Sequence, residues 1–188
     1  MLVAAPLLLV GCGSDEQSAG STSTSHSAAA ASSSAAATAA CPAGAGTPDP
    51  QWQFPGDTGS IAVTGPTDDA RPVVEVTAPF HVETTTVHTL SVGSGSVVAP
   101  SAIATVCYEG VNGRTGKVFD SSYDRGLPAQ FQLGGVVAGF AKAISGQTVG
   151  SDVAVAITSA DGYPSGQPQA GIEAGDTLVF VLRILSSP

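Results

Sequence analysis

Several segments in the second half of the chain alternate apolar and polar positions with a period of two, as half-buried strands do. In the segment from Asp152 to Thr158, Val153, Val155 and Ile157 share one face. Within Ala102–Tyr108, Ala104, Val106 and Tyr108 point one way and Thr105 and Cys107 the other. Thr84–Val92 is rich in β-branched residues, and Val73–Val76 is a shorter run of the same kind. Leu178–Leu182 is apolar at every position, the pattern of a strand covered on both faces. One short helix is predicted, about Ala138–Ile144, containing Phe140 and ending near Gly146. Asn112-Gly113 is a strong turn dipeptide, so the chain should reverse there and return as a strand carrying Phe119. Mostly antiparallel strands with one packed helix make an α+β domain, assigned to residues 84–188.

Upstream the pattern thins. Residues 41–83 are punctuated by Pro42, Pro48, Pro50, Pro55, Pro66, Pro72 and Pro79. Trp52 and Phe54 nevertheless alternate around Gln53, and Ile61–Thr64 is strand-like. A lone exposed Trp is unusual, so this segment should be an extension docked on the domain. The alternative is a flexible spacer whose Trp52 serves as a handle for a partner.

From Gly13 to about Gly46 the chain is almost entirely Ser, Ala, Thr and Gly, without Leu, Ile, Val or an aromatic residue. Such a segment cannot bury enough apolar surface to offset its ordering entropy. Residues 12–40 are therefore expected to be a disordered tether. It would span about 30 Å root-mean-square if it behaves as a flexible coil. Leu2–Val10 is apolar but too short for a bilayer, which needs about 20 residues. It runs into Leu9-Val10-Gly11-Cys12, which resembles the lipobox of bacterial lipoproteins. That resemblance implies a signal peptide over residues 1–11 and acylation of Cys12. The protein would then be exported and anchored to the outer face of the bacterial cell membrane.

The net charge of −9 arises from 15 acidic and 6 basic residues, and the basic ones are scattered from Arg71 onward. No basic patch is available for phosphates, which argues against nucleic-acid binding. An acidic surface is equally unsuited to anionic lipid heads, so membrane attachment is expected through the lipid anchor only. Arg183 and Lys142 are expected to be solvated surface charges. With Cys12 lipidated outside the membrane, Cys41 and Cys107 remain in a disulfide-permissive compartment. They are either bridged or two free thiols, and both readings stay open. His26, His81 and His88 lack ligand-like spacing with either, so no metal site is expected.

The chemistry is concentrated between Thr105 and Leu185. There the chain reads Val106-Cys107-Tyr108-Glu109-Gly110, then Gly116-Lys117-Val118-Phe119-Asp120-Ser121-Ser122, and finally Gly175-Asp176-Thr177-Leu178-Val179-Phe180. Aromatic residues are only 5% of the protein, yet Tyr108, Phe119, Phe131, Phe140, Tyr163 and Phe180 all fall in this stretch. They could line an apolar hollow holding one buried acid, Asp120. An acid in an apolar run needs a partner, and Arg125 or Tyr108 could supply it.

That order of motifs resembles the FKBP-type peptidyl-prolyl cis–trans isomerases. The resemblance implies a twisted antiparallel β-sheet wrapped on one short α-helix, and isomerase activity without cofactor or metal. It assigns Tyr108, Phe119 and Phe180 to an aromatic wall and Asp120 to the carboxylate beside it, with both Tyr108 and Arg125 as partners of that carboxylate. Tyr163 becomes a rim phenol that donates to a substrate carbonyl. Val136 and Val137 become aliphatic contacts, the second also offering its backbone N–H. Phe140 becomes the pocket floor, Phe131 a further binding residue, and Ile172 the apolar residue of the loop before the last strand. Proline-containing unfolded or exported polypeptides are the implied substrates, and macrolides the implied ligands.

Four features depart from that family pattern, the first a shorter stretch than usual between Gly134 and Val136. Ala129 stands where an aromatic is common, Glu173-Ala174 follows Ile172 where two prolines are usual, and Pro164 follows Tyr163 in place of Gly. They predict a wider, wetter pocket with Glu173 adding a like charge near Asp120. The rival expectation is a catalytically weak FKBP-like module that binds proline-containing segments or a partner protein.

Overall fold

The computed structural model describes residues 40–188, so Cys12, the segment 1–11 and the tether up to residue 39 lie outside the described residues. Period-two alternation is what builds the layers. Strands β1 (Trp52–Pro55), β2 (Thr58–Thr64) and β3 (Val73–His81) form an antiparallel three-stranded sheet in that order. A second, six-stranded sheet holds β4 (Thr86–Ser91), β5 (Ile103–Asn112), β6 (Val118–Ser121), β7 (Ala129–Gln132), β8 (Asp152–Ile157) and β9 (Leu178–Ser186). Its order is β4-β8-β9-β5-β6, and β7 pairs with the first half of β5 while β6 pairs with the second. Every strand pair is antiparallel.

The large sheet is covered on both faces. On its inner face Val106, Val155, Ile157 and Leu182 pack with Phe140, Ala143 and Ile144 of helix α2 (Ala138–Ile144). On its outer face Val111, Ala154, Ala156, Val179 and Val181 pack with Trp52, Ile61, Val63 and Phe80. Alternate residues of β8 and β9 therefore serve two cores, and each fully buried Val or Ile contributes about 1.5–3 kcal/mol. This explains why Leu178–Leu182 has no polar face. Helix α2 lies close to β8 because residue 139 is glycine. A Cβ there would sit 2.3 Å from Ile157 Cγ2.

Trp52 is buried, stacked on His88 at 5.1 Å and on Phe54 at 5.1 Å. It is no exposed handle. Cys41 is disulfide-bonded to Cys107 on the outer face of β5. Arg183 corrects the expectation of a solvated charge. Its guanidinium donates to Asp152 at 2.7 Å, to the Pro66 carbonyl at 2.8 Å and to Asp68 at 3.0 Å, and its side chain is only 21% exposed. Lys142 is half-exposed but pairs with Asp161 at 2.7 Å.

Apolar runs underestimated strand length. β3 continues beyond Val76 to His81, β5 beyond Tyr108 to Asn112, and β9 beyond Leu182 to Ser186. Ladder hydrogen bonds with neighbours carry polar residues that hydropathy alone would assign to loops. A second, single-turn helix α1 (Ser122–Arg125) also appears. Ser121 caps it by accepting from the Asp124 N–H, and Gly126 ends it at φ 68°. Four residues are too few for a 3.6-residue period to show.

Candidate active site

The inner face of β5 points Tyr108 at a pocket of about 310 Å³. β6 delivers Phe119 and Asp120 to it, β7 Phe131, and β9 Phe180. The 3₁₀ turn Leu133–Gly135 and the residues after it bring Gly135, Val136 and Val137, the last being the N-cap of α2. Phe140 of α2 and Tyr163 from the segment between β8 and β9 complete the lining.

Phe140 is the floor. Its ring centroid lies 5.1 Å from Phe131, 5.2 Å from Phe180 and 6.0 Å from Tyr108, all edge-to-face. This arrangement adds about 0.5–1.5 kcal/mol per pair beyond area burial. Phe119 and Phe180 meet at 5.5 Å and 89° above Gly110. A Cβ at Gly110 would lie 2.7 Å from Phe119 Cζ and 2.8 Å from Phe180 Cε1. The glycine is what allows the two rings to approach.

Polar groups close one corner. The Tyr108 hydroxyl donates to Asp120 Oδ2. Arg125 Nη1 donates to Asp120 Oδ1 at 2.7 Å, and Nη2 donates to the Tyr108 hydroxyl oxygen at 2.8 Å. The guanidinium carbon also lies 5.6 Å from the centre of the Tyr108 ring. Asp120 is not the buried acid that an apolar run suggested, since its side chain is 42% exposed. It stands at the mouth, on the last strand of the sheet path. Partial burial works to raise its pKa, but the hydrogen bonds from Tyr108 and Arg125 outweigh it and hold the carboxyl below its ordinary range. Burial, with the bond to Asp120, pushes the Tyr108 phenol up to about 12. At neutral pH the corner is thus one phenol, one carboxylate and one guanidinium, with no proton poised to move.

Tyr163 is held through its backbone, whose carbonyl accepts from Ser159 Oγ at 3.3 Å. The same hydroxyl accepts the Gly175 N–H at 3.1 Å, joining the Tyr163 turn to the loop before β9. Among the described residues no group of three or more His, Cys, Asp or Glu could hold a metal ion.

The structure does not bring Ile172 into the lining. It is buried in the inner core and borders only a separate depression with Pro168 and Gly171. Glu173 corrects the expectation of a like charge beside Asp120. Its carboxylate pairs with Arg114 at 3.1 Å, and its backbone N–H donates to Asp176 at 2.8 Å. Asp176 in turn accepts from Asn112 at 2.6 Å and Arg114 at 2.8 Å, so this loop is tied to the β5–β6 turn rather than to the pocket. Ala129 packs against the inner core without lining the cavity. Sequence reasoning missed Gly135 and Gly110. It also missed the environment of Glu109, although an acid inside an apolar strand is a signal that a partner must exist.

The sequence model of the FKBP-type peptidyl-prolyl cis–trans isomerases matches residues 90–185. A probable FK506-binding protein of Corynebacterium glutamicum is 34% identical over 120 residues, covering 62% of this chain and 98% of that protein. An FK506-binding protein of Streptomyces anulatus is 35% identical over 97 residues, covering 50% of this chain and 78% of that one. Among solved structures, a peptidyl-prolyl cis–trans isomerase from Pseudomonas syringae superposes with a TM-score of 0.50 at 25% identity. That superposition covers 55% of this chain and 74% of the other.

Proposed function

Because the chain belongs to the FKBP-type family and is a peptidyl-prolyl cis–trans isomerase, we propose that it assists the folding of exported proteins at the cell envelope, held to the outer face of the membrane through Cys12. The aromatic pocket with its Tyr108–Asp120–Arg125 corner is the observation that carries the site assignment. Rotation about a prolyl bond faces a barrier of about 18–20 kcal/mol because the amide loses resonance as it twists. The twisted amide has less charge separation than the planar one, so a dry pocket favours it over the ground state.

Phe140 and the edges of Phe180 and Tyr108 receive the prolyl ring. Phe119 and Val136 flank it, and Phe131 closes one side. The Val137 amide and the Tyr163 hydroxyl hold peptide carbonyls, and the ionised Asp120 faces the carbonyl carbon that is being rotated. No step needs a nucleophile, a metal or a proton carrier. Substrates are proline-containing segments of unfolded chains, for which uncatalysed isomerisation takes tens to hundreds of seconds. The names of the relatives support FK506-type macrolides as ligands of the same pocket.

A proline-isomer assay on a short peptide tests the site. Asp120→Val and Phe119→Ala should each lower kcat/KM by roughly tenfold or more, since about 1.4 kcal/mol of lost transition-state stabilisation is a factor of ten. A rate equal to the uncatalysed one, or unaffected by both changes, would remove this reading. For the anchor, metabolic labelling with a radioactive fatty acid should mark the wild-type chain but not Cys12→Ser. Unlabelled wild-type protein released into the medium would exclude the lipoprotein.

A further inference from the structure

The outer face of β5 carries groups that the pocket does not use. Cys107 and Glu109 flank Tyr108 in sequence, and strand alternation turns both onto the opposite side of the sheet. There they meet residues of the segment before β4. Glu109 is 4% exposed, a carboxylate buried in mid-strand. It accepts from Arg71 Nε at 3.1 Å and from Arg71 Nη2. Arg71 reaches further. Its Nη2 lies 3.3 Å from Ser121 Oγ, and its Nη1 donates to Asp124 Oδ1 at 2.7 Å.

One guanidinium thus joins three segments, and each partner is the sequence neighbour of a group at the pocket corner. Glu109 follows Tyr108, Ser121 follows Asp120, and Asp124 precedes Arg125. Cys41 makes a second tie. Besides its bond to Cys107, its backbone N–H donates to the Gly126 carbonyl at 3.3 Å, and its Sγ lies 3.3 Å from Ser122 Oγ. That Ser122 hydroxyl accepts the Tyr108 N–H at 2.8 Å.

Resting on the isomerase reading above, we propose that Arg71, aided by Cys41, is a positioning residue for the active site. From behind the sheet, the segment preceding the family-matched region holds the Tyr108–Asp120–Arg125 triangle in register. The need is physical. β6 and α1 are four residues each, and a single helical turn has no stability of its own. Arg125 is half-exposed on a long side chain, so its geometry depends on where α1 is held. Phe140 and Phe180 sit in the inner core, and the hydrogen bonds of Arg71 go to Glu109, Ser121 and Asp124 instead. The brace therefore acts first on the placement of the polar corner, while the Phe140 floor and the Phe180 wall of the prolyl seat stay in place.

The test pairs two double variants of the full chain. Arg71→Met with Glu109→Gln removes the brace without leaving a buried charge alone. Arg183→Met with Asp152→Asn removes another ion pair of the same outer face, one whose partners, Asp68 and the Pro66 carbonyl, carry no corner group. The first should lower kcat by roughly tenfold, since small misplacements of reacting groups are costly, with KM changed by less than about twofold. The second should leave both constants unchanged whatever it does to the unfolding midpoint.

Arg71→Lys should keep the Glu109 pair yet restore kcat only in part, because an ammonium cannot serve three acceptors in the planar fork of a guanidinium. In an Asp120→Asn background the Arg71 change should add nothing. Side-chain NMR signals of Arg125 should shift in the first double variant and not in the second. That readout remains informative even if the wild-type protein fails to turn over peptide, which would remove the isomerase reading and not the brace. Equal kcat losses in both double variants, or an unmoved Arg125 signal in the first, would overturn the proposal.

Discussion

The two faces of the central sheet use the same chemistry for opposite ends. On the outer face, Arg183–Asp152 and Arg71–Glu109 join arginine to acids whose side chains are at most 8% exposed, and both fasten one segment to another. On the inner face, Arg125–Asp120 is an arginine–carboxylate pair too, but both members are close to half-exposed at the mouth of a cavity. Burial separates the roles. A covered pair meets little water, and removing its acid leaves the arginine short of its buried counter-charge. An open pair is worth little to stability but keeps lone pairs and field available to a ligand.

The strongest way to break this contrast is Asp152→Ala. It removes the buried acceptor of Arg183, leaving only the Pro66 carbonyl and the exposed Asp68, and should cost about 3 kcal/mol or more in urea unfolding. Activity per folded molecule should stay near wild type. A loss below 1 kcal/mol would mean that water reaches the pair and that the two faces do not differ in kind.

A smaller effect is expected from removing the covalent tie. Replacing both Cys41 and Cys107 by alanine opens a crosslink of sequence separation 66 and should cost about 2–4 kcal/mol. Unlike the Asp152 change, it should also lower kcat several-fold, because Cys41 touches the α1 segment. Full activity in the folded double-alanine protein would confine the role of Cys41 to stability.

The smallest effect is with pH, and it sharpens the comparison from the inner side. Tyr108 stays protonated up to about pH 12, and Asp120 is held ionised below the usual carboxylate range. Activity should accordingly show no inflection from this pair between about pH 5 and pH 9. Asp120, Asp161 and Asp176 all have depressed pKa values in the fold. The stability they add is present above the unfolded carboxylate pKa and is lost as pH falls through the lower folded values. Acid unfolding should therefore begin below about pH 4. A bell-shaped activity profile centred near neutrality would instead indicate a proton-transfer step that this corner does not provide.

Much of the pocket was legible because its members occur in the fixed order of short motifs that the FKBP-type family shares. Tyr108, Phe119, Asp120, Phe131, Val136, Val137, Phe140, Tyr163 and Phe180 all line one cavity. Ile172 and Glu173 were misplaced because they sit on a loop without periodicity. The direction of that loop is decided by the distant bonds of Arg114 and Asp176. Asp120 was expected to be buried because hydropathy cannot tell the mouth of a pocket from its floor. Arg183 was expected to be solvated because its acceptors, Asp152, Asp68 and the Pro66 carbonyl, lie far off in sequence.

By itself, then, the sequence determined most of the strands and helix α2 from local alternation, and the set of pocket aromatics and the family from the order of short motifs. Only the tertiary structure decided which charges are buried, that Cys41 meets Cys107, and that Arg71 stands behind the active corner. Those outcomes depend on pairings across the sheet between residues 31 or more positions apart. Local pattern carries no information about such separations, because burial is a property of what the rest of the chain places on top.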